Sequence, residues 1–389
     1  FFIMTDNIIY SEPNKTLVTQ EDNKALWNLP KYRRTGYRDL YKINRYGLIL
    51  RSDHVLKLNK TENSDIENIS LVKDMTNQSS FCSLIVGKGQ TILYEKFATD
   101  FHLSQPQTIM SITKMFINLL VGELVEQNMI DLNQTVSKYL PNIGSGYADA
   151  TIQNVLNMNV KNNYTEDYTD PFSSSFLQEK VGGWRIPDED EENTSQENFL
   201  NSIETIPGET LENGLDQALY KSANTDVIAM IIENITKISL RDHLIRIVEA
   251  AGFEDALYMA TDRGGMPWLS GGGCLTTRDF LRMGLLFSRR GKGIKNRCVG
   301  SKKFIESTLK ADGPKYMRLL DKHFVFYANQ TMKSNNWIGH SGYGGQFLMI
   351  NLETNVVAAF FSVLETKSAT DETYKSVSYT HLTLPTRLS

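Results

Sequence analysis

The chain has 389 residues, of which 41% are hydrophobic and 22% charged, with a formal net charge of −4. That is ordinary globular composition, long enough for one large or two interleaved domains, and its acidic balance suggests no polyanionic partner. Without an apolar run of about 18 residues, a basic stripe, a zinc-spaced Cys/His cluster or a phosphate-cradling glycine loop, it calls for no membrane span, nucleic acid, metal or cofactor.

The elements follow in chain order. Phe1-Phe2-Ile3-Met4 reads as a truncated start from which a signal peptide could have been lost. Sequons such as Asn14, Asn59, Asn77 and Asn163 leave a secreted form open. Residues 1–75 read as a mixed lead-in with a short strand around Gly47–Leu50. Residues 80–98 alternate as a hairpin, and 106–250 are mostly helical with loops at 140–150 and 160–200. The acidic run Asp188–Glu192 reads as a solvated loop insertion. Residues 251–330 carry loops, a helix over 276–289 and the basic turn Arg289–Lys292, and 337–364 return as strands. The three cysteines, Cys82, Cys274 and Cys298, are too few and odd in number for a disulfide framework, and the first two read as buried thiols. Val377–Ser389 looks like a translated sequencing adapter and is set aside.

Strands at both ends with helices between imply an α+β fold, an antiparallel sheet flanked by helices with an inserted, mostly helical domain. The sheet domain is expected over 1–105 and 251–376 and the helical domain over 106–250, with a cleft at their junction.

Three segments carry chemistry. Ser-x-x-Lys occurs at Ser70/Lys73, Ser111/Lys114 and Ser307/Lys310, about as often as chance allows, so context must choose. Only Ser111 precedes a long apolar helical pattern, Met115–Val125. A helix starting near Ile109 would put Ser111 in its first turn with Lys114 on the same face, and its N-terminal N–H groups would be free to face developing negative charge. The second segment is Tyr220-Lys221-Ser222, running into the apolar helix that follows. The third is His340-Ser341-Gly342 in a glycine-rich strand, where a ligand or backbone can approach closely. Lysine and tyrosine both titrate near pH 10, so either acts as a base at neutral pH only with a depressed pKa; as a pair they would titrate together.

Taken together these segments resemble the three motifs of the β-lactamase-related serine hydrolases, in the class C and DD-peptidase-like branch, nearest to the esterases and the 6-aminohexanoate-dimer hydrolase type. The resemblance covers roughly residues 25 to 375, including Ser270–Phe280 as the family's glycine turn and following helix. It implies that Ser111 attacks a carbonyl and is acylated while Lys114 and Tyr220 move its proton. It implies an oxyanion hole from the backbone N–H groups of Ser111 and Tyr343. Tyr168, Trp184, Ser222, His340, Ser341 and Gly342 would line the substrate. Where penicillin-binding members carry lysine, this chain has His340, mostly neutral at pH 7. A small ester or amide without an obligatory carboxylate fits better than a β-lactam or D-peptide; His340 as a purely structural hydrogen-bonder stays open. An α/β-hydrolase is rejected, because Gly339-His340-Ser341-Gly342-Tyr343 breaks Gly-x-Ser-x-Gly. A sensor that is acylated without turnover, or a non-catalytic assembly protein on the same fold, is the alternative. Oligomeric state is left unassigned.

Overall fold

The computed structural model describes residues 26–61, 63–188, 194–319, 323–366 and 369. The expected adapter, the chain start and most of the acidic run lie outside them. Among the described residues, thirteen strands form two sheets. The smaller takes β1 (Gly47–Arg51), β5 (Gln107–Thr108), β6 (Ala256–Ala260) and β7 (Gly273–Leu275) in the order β1-β6-β7-β5. The larger takes β2 (Asn59–Lys60), β3 (Phe81–Lys88), β4 (Thr91–Phe97), β8 (Lys315–Arg318), β9 (Phe324–Ala328), β10 (Thr331–Ser334), β11 (Trp337–Gly342), β12 (Gln346–Asn351) and β13 (Val356–Ser362). Its order is β2-β4-β3-β13-β12-β11-β10-β9-β8, antiparallel except for the β2–β4 pair. Strands from the N-terminal and C-terminal parts of the described chain therefore meet at β3 and β13, where Ala358 faces Val86.

The central strands are buried on both faces, which is why they read as unbroken apolar runs although the sheet is antiparallel. Along β13, Val357, Ala359 and Phe361 enter the core under the helices, while Val356, Ala358 and Phe360 enter a second core on the opposite face. Residues Leu348 and Ile350 of β12 join the first core, and Phe347 and Met349 the second. The helix Thr277–Ser288 lies across the first face; an added Cβ at Gly284 would sit 2.4 Å from Val357 Cγ1.

The hairpin expected over 80–98 is β3–β4, and the helix expected over 276–289 spans Thr277–Ser288. Two expectations are corrected. The lead-in holds a 14-residue helix, Pro30–Ile43, opened by a proline in its first turn and burying Arg33, Gly36, Tyr37, Arg38 and Leu40; so polar a buried face carries no apolar period. Residues 315–330, read among loops, hold β8 and β9 and lead into β10. Their turns lack Asn-Gly or Asp-Gly, yet Asn329, Gln330 and Asn335 adopt positive φ (50°, 61° and 49°), the geometry tight hairpins need. The short strand expected near Gly47 forms as β1 and pairs with β6 in the smaller sheet.

Candidate active site

Ser111 does not open an α-helix. It lies in a 3-10 turn, Met110–Lys114, followed by the α-helix Met115–Glu126. Three residues per turn put positions i and i+3 directly over one another, a closer alignment than α-geometry gives. Lys114 Nζ donates to Ser111 Oγ at 3.1 Å. Met110, just before the serine, has φ +49°, a strained conformation for a side chain of its size. Neighbours on two sides hold the turn. From β7, Ile109 N–H donates to the Gly273 carbonyl (2.9 Å) and Gly273 N–H donates to Thr113 Oγ1 (3.1 Å). From β11, Gly342 approaches so closely that a Cβ would lie 2.6 Å from the Ile109 carbonyl oxygen. The glycine of the third segment therefore serves backbone contact.

Lys114 is fully buried. Besides Ser111 it donates to Ser222 Oγ (3.1 Å) and to the Ser270 carbonyl (2.5 Å). Burial lowers its pKa to about 8, against the opposing pull of Glu166 and Asp226. Its ammonium stands 5.1 Å from the centre of the Tyr220 ring. Burial raises the Tyr220 phenol well above its ordinary value, with the Ser111 hydroxyl acting on it in the opposite sense. Its Oη is buried and makes no hydrogen bond in the geometry observed.

Ser222 begins the helix Ser222–Thr236. Its hydroxyl donates to Glu166 Oε1 (2.8 Å) and its backbone N–H to Glu166 Oε2 (2.5 Å), while Tyr168 Oη donates to Glu166 Oε1 (2.5 Å). The Tyr168 ring lies 4.8 Å from that of Tyr343, the first residue after β11. Trp184 packs edge-on against Trp27 and Trp268 at 5.6 and 4.3 Å.

Ser111, Tyr168, Trp184, Ser222 and Tyr343 line one pocket, with Glu166 and Glu179 as its carboxylates and no Lys, Arg or His among its lining residues. Lys114 stands behind Ser111. His340, Ser341 and Gly342 do not line the pocket. His340 is fully buried; its Nδ1–H donates to the Ser341 carbonyl (2.7 Å), so Nε2 accepts from Tyr327 Oη (3.1 Å). Its ring faces Tyr327 and Tyr220 at 5.6 and 6.3 Å, behind the phenol. Ser341 Oγ turns towards Met332 Sδ (3.7 Å). The competing pairs are apart from all this: Lys73 reaches Asn68, Ser307 caps the Phe304 carbonyl, and both serines of those pairs are exposed.

Sequence reasoning did not single out Trp27, Gln178, Asp226 or Trp268, and took Glu166 only as part of a loop. One signal was present, a lone acid, Asp226, immediately before the apolar run Val227–Ile232. The others sit in segments without a period.

Residues 83–377 match the Beta-lactamase family model, and the chain belongs to that family. A 6-aminohexanoate-dimer hydrolase of Paenarthrobacter ureafaciens is 30% identical over 229 residues, 58% of this chain and 56% of that relative, so the match spans little more than half its length. Among solved structures, a Bacillus anthracis protein provisionally named a 6-aminohexanoate-dimer hydrolase superposes with a TM-score of 0.77 over 97% of this chain and 99% of that one, at 21% identity. The hydrolase EstCE1, described as having promiscuous acyltransferase activity, gives 0.57 over 82% and 97%, at 12% identity. These neighbours share the β-lactamase and penicillin-binding fold. Among the described residues, no helix is long and apolar enough to cross a membrane.

Proposed function

We propose that the protein is a serine hydrolase of small esters or amides that works through an acyl intermediate on Ser111. The observation that carries this reading is the buried Lys114 amine 3.1 Å from Ser111 Oγ, with its pKa lowered towards 8. As the neutral amine it takes the hydroxyl proton while Ser111 Oγ bonds to the substrate carbonyl carbon. Tyr220, held neutral by burial, then donates to the leaving group and recovers its proton from Lys114. The oxyanion is stabilised by the N–H groups of Ser111, in the first turn of its 3-10 segment, and of Tyr343; such donors lower the barrier by about 3–4 kcal/mol each. Water then attacks the acyl carbonyl, and Ser111 is released with its proton restored.

The pocket's composition favours the substrate class. Its aromatic walls and two carboxylates suit an acyl group that is neutral or cationic and oppose the carboxylate of a penicillin or D-peptide. His340 supplies no cation to it, since it is not among the lining residues. The likeness to a 6-aminohexanoate-dimer hydrolase supports the amide variant.

A fluorophosphonate probe with wild-type protein and Ser111→Ala, followed by hydrolysis of p-nitrophenyl acetate, nitrocefin and the linear 6-aminohexanoate dimer, tests the reading. We expect labelling that disappears in the variant, ester turnover, and little nitrocefin turnover. Folded wild-type protein that takes up no label would refute the acyl-serine mechanism; labelling without product release from any ester or amide would favour the sensor.

A further inference from the structure

Asp226 lies in the second turn of the helix Ser222–Thr236 with no exposed surface. A carboxylate in such a place is expensive unless donors and a cation compensate it. Two donors are present. Gln178 Nε2 donates to Oδ2 at 2.7 Å, and Ser270 N–H donates to Oδ1 at 3.2 Å. The Gln178 amide is oriented by Tyr164 Oη, which donates to its Oε1 at 2.6 Å and so leaves the NH2 end for Asp226. The compensating cation is one residue's width away. Ser270 offers its N–H to Asp226 and its carbonyl to Lys114 Nζ at 2.5 Å, so one residue links the buried acid to the buried amine.

We propose that Asp226 is a positioning residue for Lys114: through Ser270 it aims the carbonyl that fixes the amine beside Ser111, and its negative charge holds a proton on that amine. This rests on the reading of Lys114 as the base. Besides Lys114, the groups facing Asp226 from neighbouring elements are Glu166 through Ser222, Tyr164 and Gln178 on the pocket side, and Tyr147 across the helix, whose Oη donates to Asn224 Oδ1 (2.7 Å). Burial raises Asp226 to about 7, opposed by Ser270 and then by Lys114, in accord with two groups that titrate as a pair. A neutral buttress would hold Ser270 equally well but would leave the titration of Lys114 alone.

The test is the pH dependence of the Ser111 labelling rate with a fluorophosphonate probe. Asp226→Asn keeps the size and one acceptor for Ser270 N–H while removing the charge. Its acid limb should move to lower pH by about one unit, the low end of what one nearby opposite charge produces. Labelling between pH 7 and the wild-type midpoint, where Asp226 is still largely ionised, should then rise several-fold relative to each protein's own plateau, and the two profiles should converge at lower pH as Asp226 is protonated. Gln178→Met removes a donor that favours the ionised carboxylate and should shift the limb in the same direction by less. A folded Asp226→Asn whose limb coincides with wild type overturns the inference; if that variant does not fold, an unmoved limb in Gln178→Met does so. Wild-type protein in which Ser111 is not labelled removes the function reading and this inference with it, whereas normal wild-type labelling with unmoved limbs removes this inference alone.

Discussion

A serine is a weak nucleophile at neutral pH, and in the proposed mechanism what changes that is a lysine kept away from water. Because Lys114 is fully buried with its pKa lowered to about 8, the fraction in the neutral form falls about tenfold for each pH unit below that value. Measured kcat/KM on p-nitrophenyl acetate should therefore fall with a slope of one below an apparent pKa near 8, and rise to a plateau above it. Replacing Lys114 by Met should lower kcat/KM by at least about 10³-fold, since nucleophile and base act as a unit. Tyr220→Phe should penalise the amide more than the activated ester, because p-nitrophenolate needs no proton to depart; equal losses on both would count against the phenol as proton donor. Ser111, Lys114 and Tyr220 could be proposed from sequence because each sits in a short contiguous segment beside an apolar run. Asp226 and Glu166 were not, since their roles depend on what lies across the pocket from them. His340 shows the opposite failure: its segment was found, but the ring is taken up by Tyr327 and the Ser341 carbonyl beside Tyr220, and it does not line the pocket.

Among elements, close approach decides geometry. The end of β11 meets the Met110–Lys114 turn at Gly342, where a Cβ would fall 2.6 Å from the Ile109 carbonyl oxygen and 2.9 Å from Met110 Cβ. Gly342→Ala must push the turn or the strand aside, and a displacement near 1 Å at a nucleophile can cost about 10²-fold in rate. Labelling kinetics should show that loss alongside a lowered unfolding temperature. Gly284→Ala poses a contest between effects. Alanine gains about 1 kcal/mol of helix propensity, but its methyl would meet Val357 Cγ1 at 2.4 Å and Leu348 Cδ1 at 3.0 Å, both in the packed core. Overpacking of that kind costs about 1–3 kcal/mol, so we expect net destabilisation in a denaturant titration; a stabilised variant would mean the helix shifts freely on the sheet. Long, periodic elements such as Thr277–Ser288 were legible in the sequence, and β3–β4 was legible from its paired apolar runs. The strands β8–β10 were not, because their turns reach positive φ with Asn and Gln instead of glycine.

Across the whole molecule, the N-terminal helix Pro30–Ile43 clamps distant chain. Buried Arg33 donates to the carbonyls of Leu364 and Thr366, each at 2.6 Å, just past β13. Arg34 and Arg38 both reach Asp100, after β4, at 2.6 and 2.9 Å. The hydrogen bond from Arg34 holds the Asp100 carboxyl well below the usual carboxylate range, against desolvation and with Arg38 adding to the lowering. A depressed folded-state pKa means stabilisation that is present above the unfolded value of about 3.9 and is lost as pH falls from there through the folded value. Asp100 is about half exposed, so screening limits the effect to about 1 kcal/mol. Asp100→Asn should be less stable than wild type by that amount at neutral pH, with the two converging in strong acid. Unequal unfolding midpoints at low pH would contradict the assignment.

The smallest of these contacts, a hydrogen-only side chain at position 342 against the carbonyl of residue 109, bridges more than half the sequence. A polypeptide emerging from synthesis holds its serine and amine long before it holds the strand that braces them. It should consequently stay chemically silent until its last third has docked, and reactivity towards an acylating probe becomes a clock for completion. On dilution from denaturant, probe uptake should return with the slowest tertiary phase and never ahead of it; early uptake would mean the turn forms unaided.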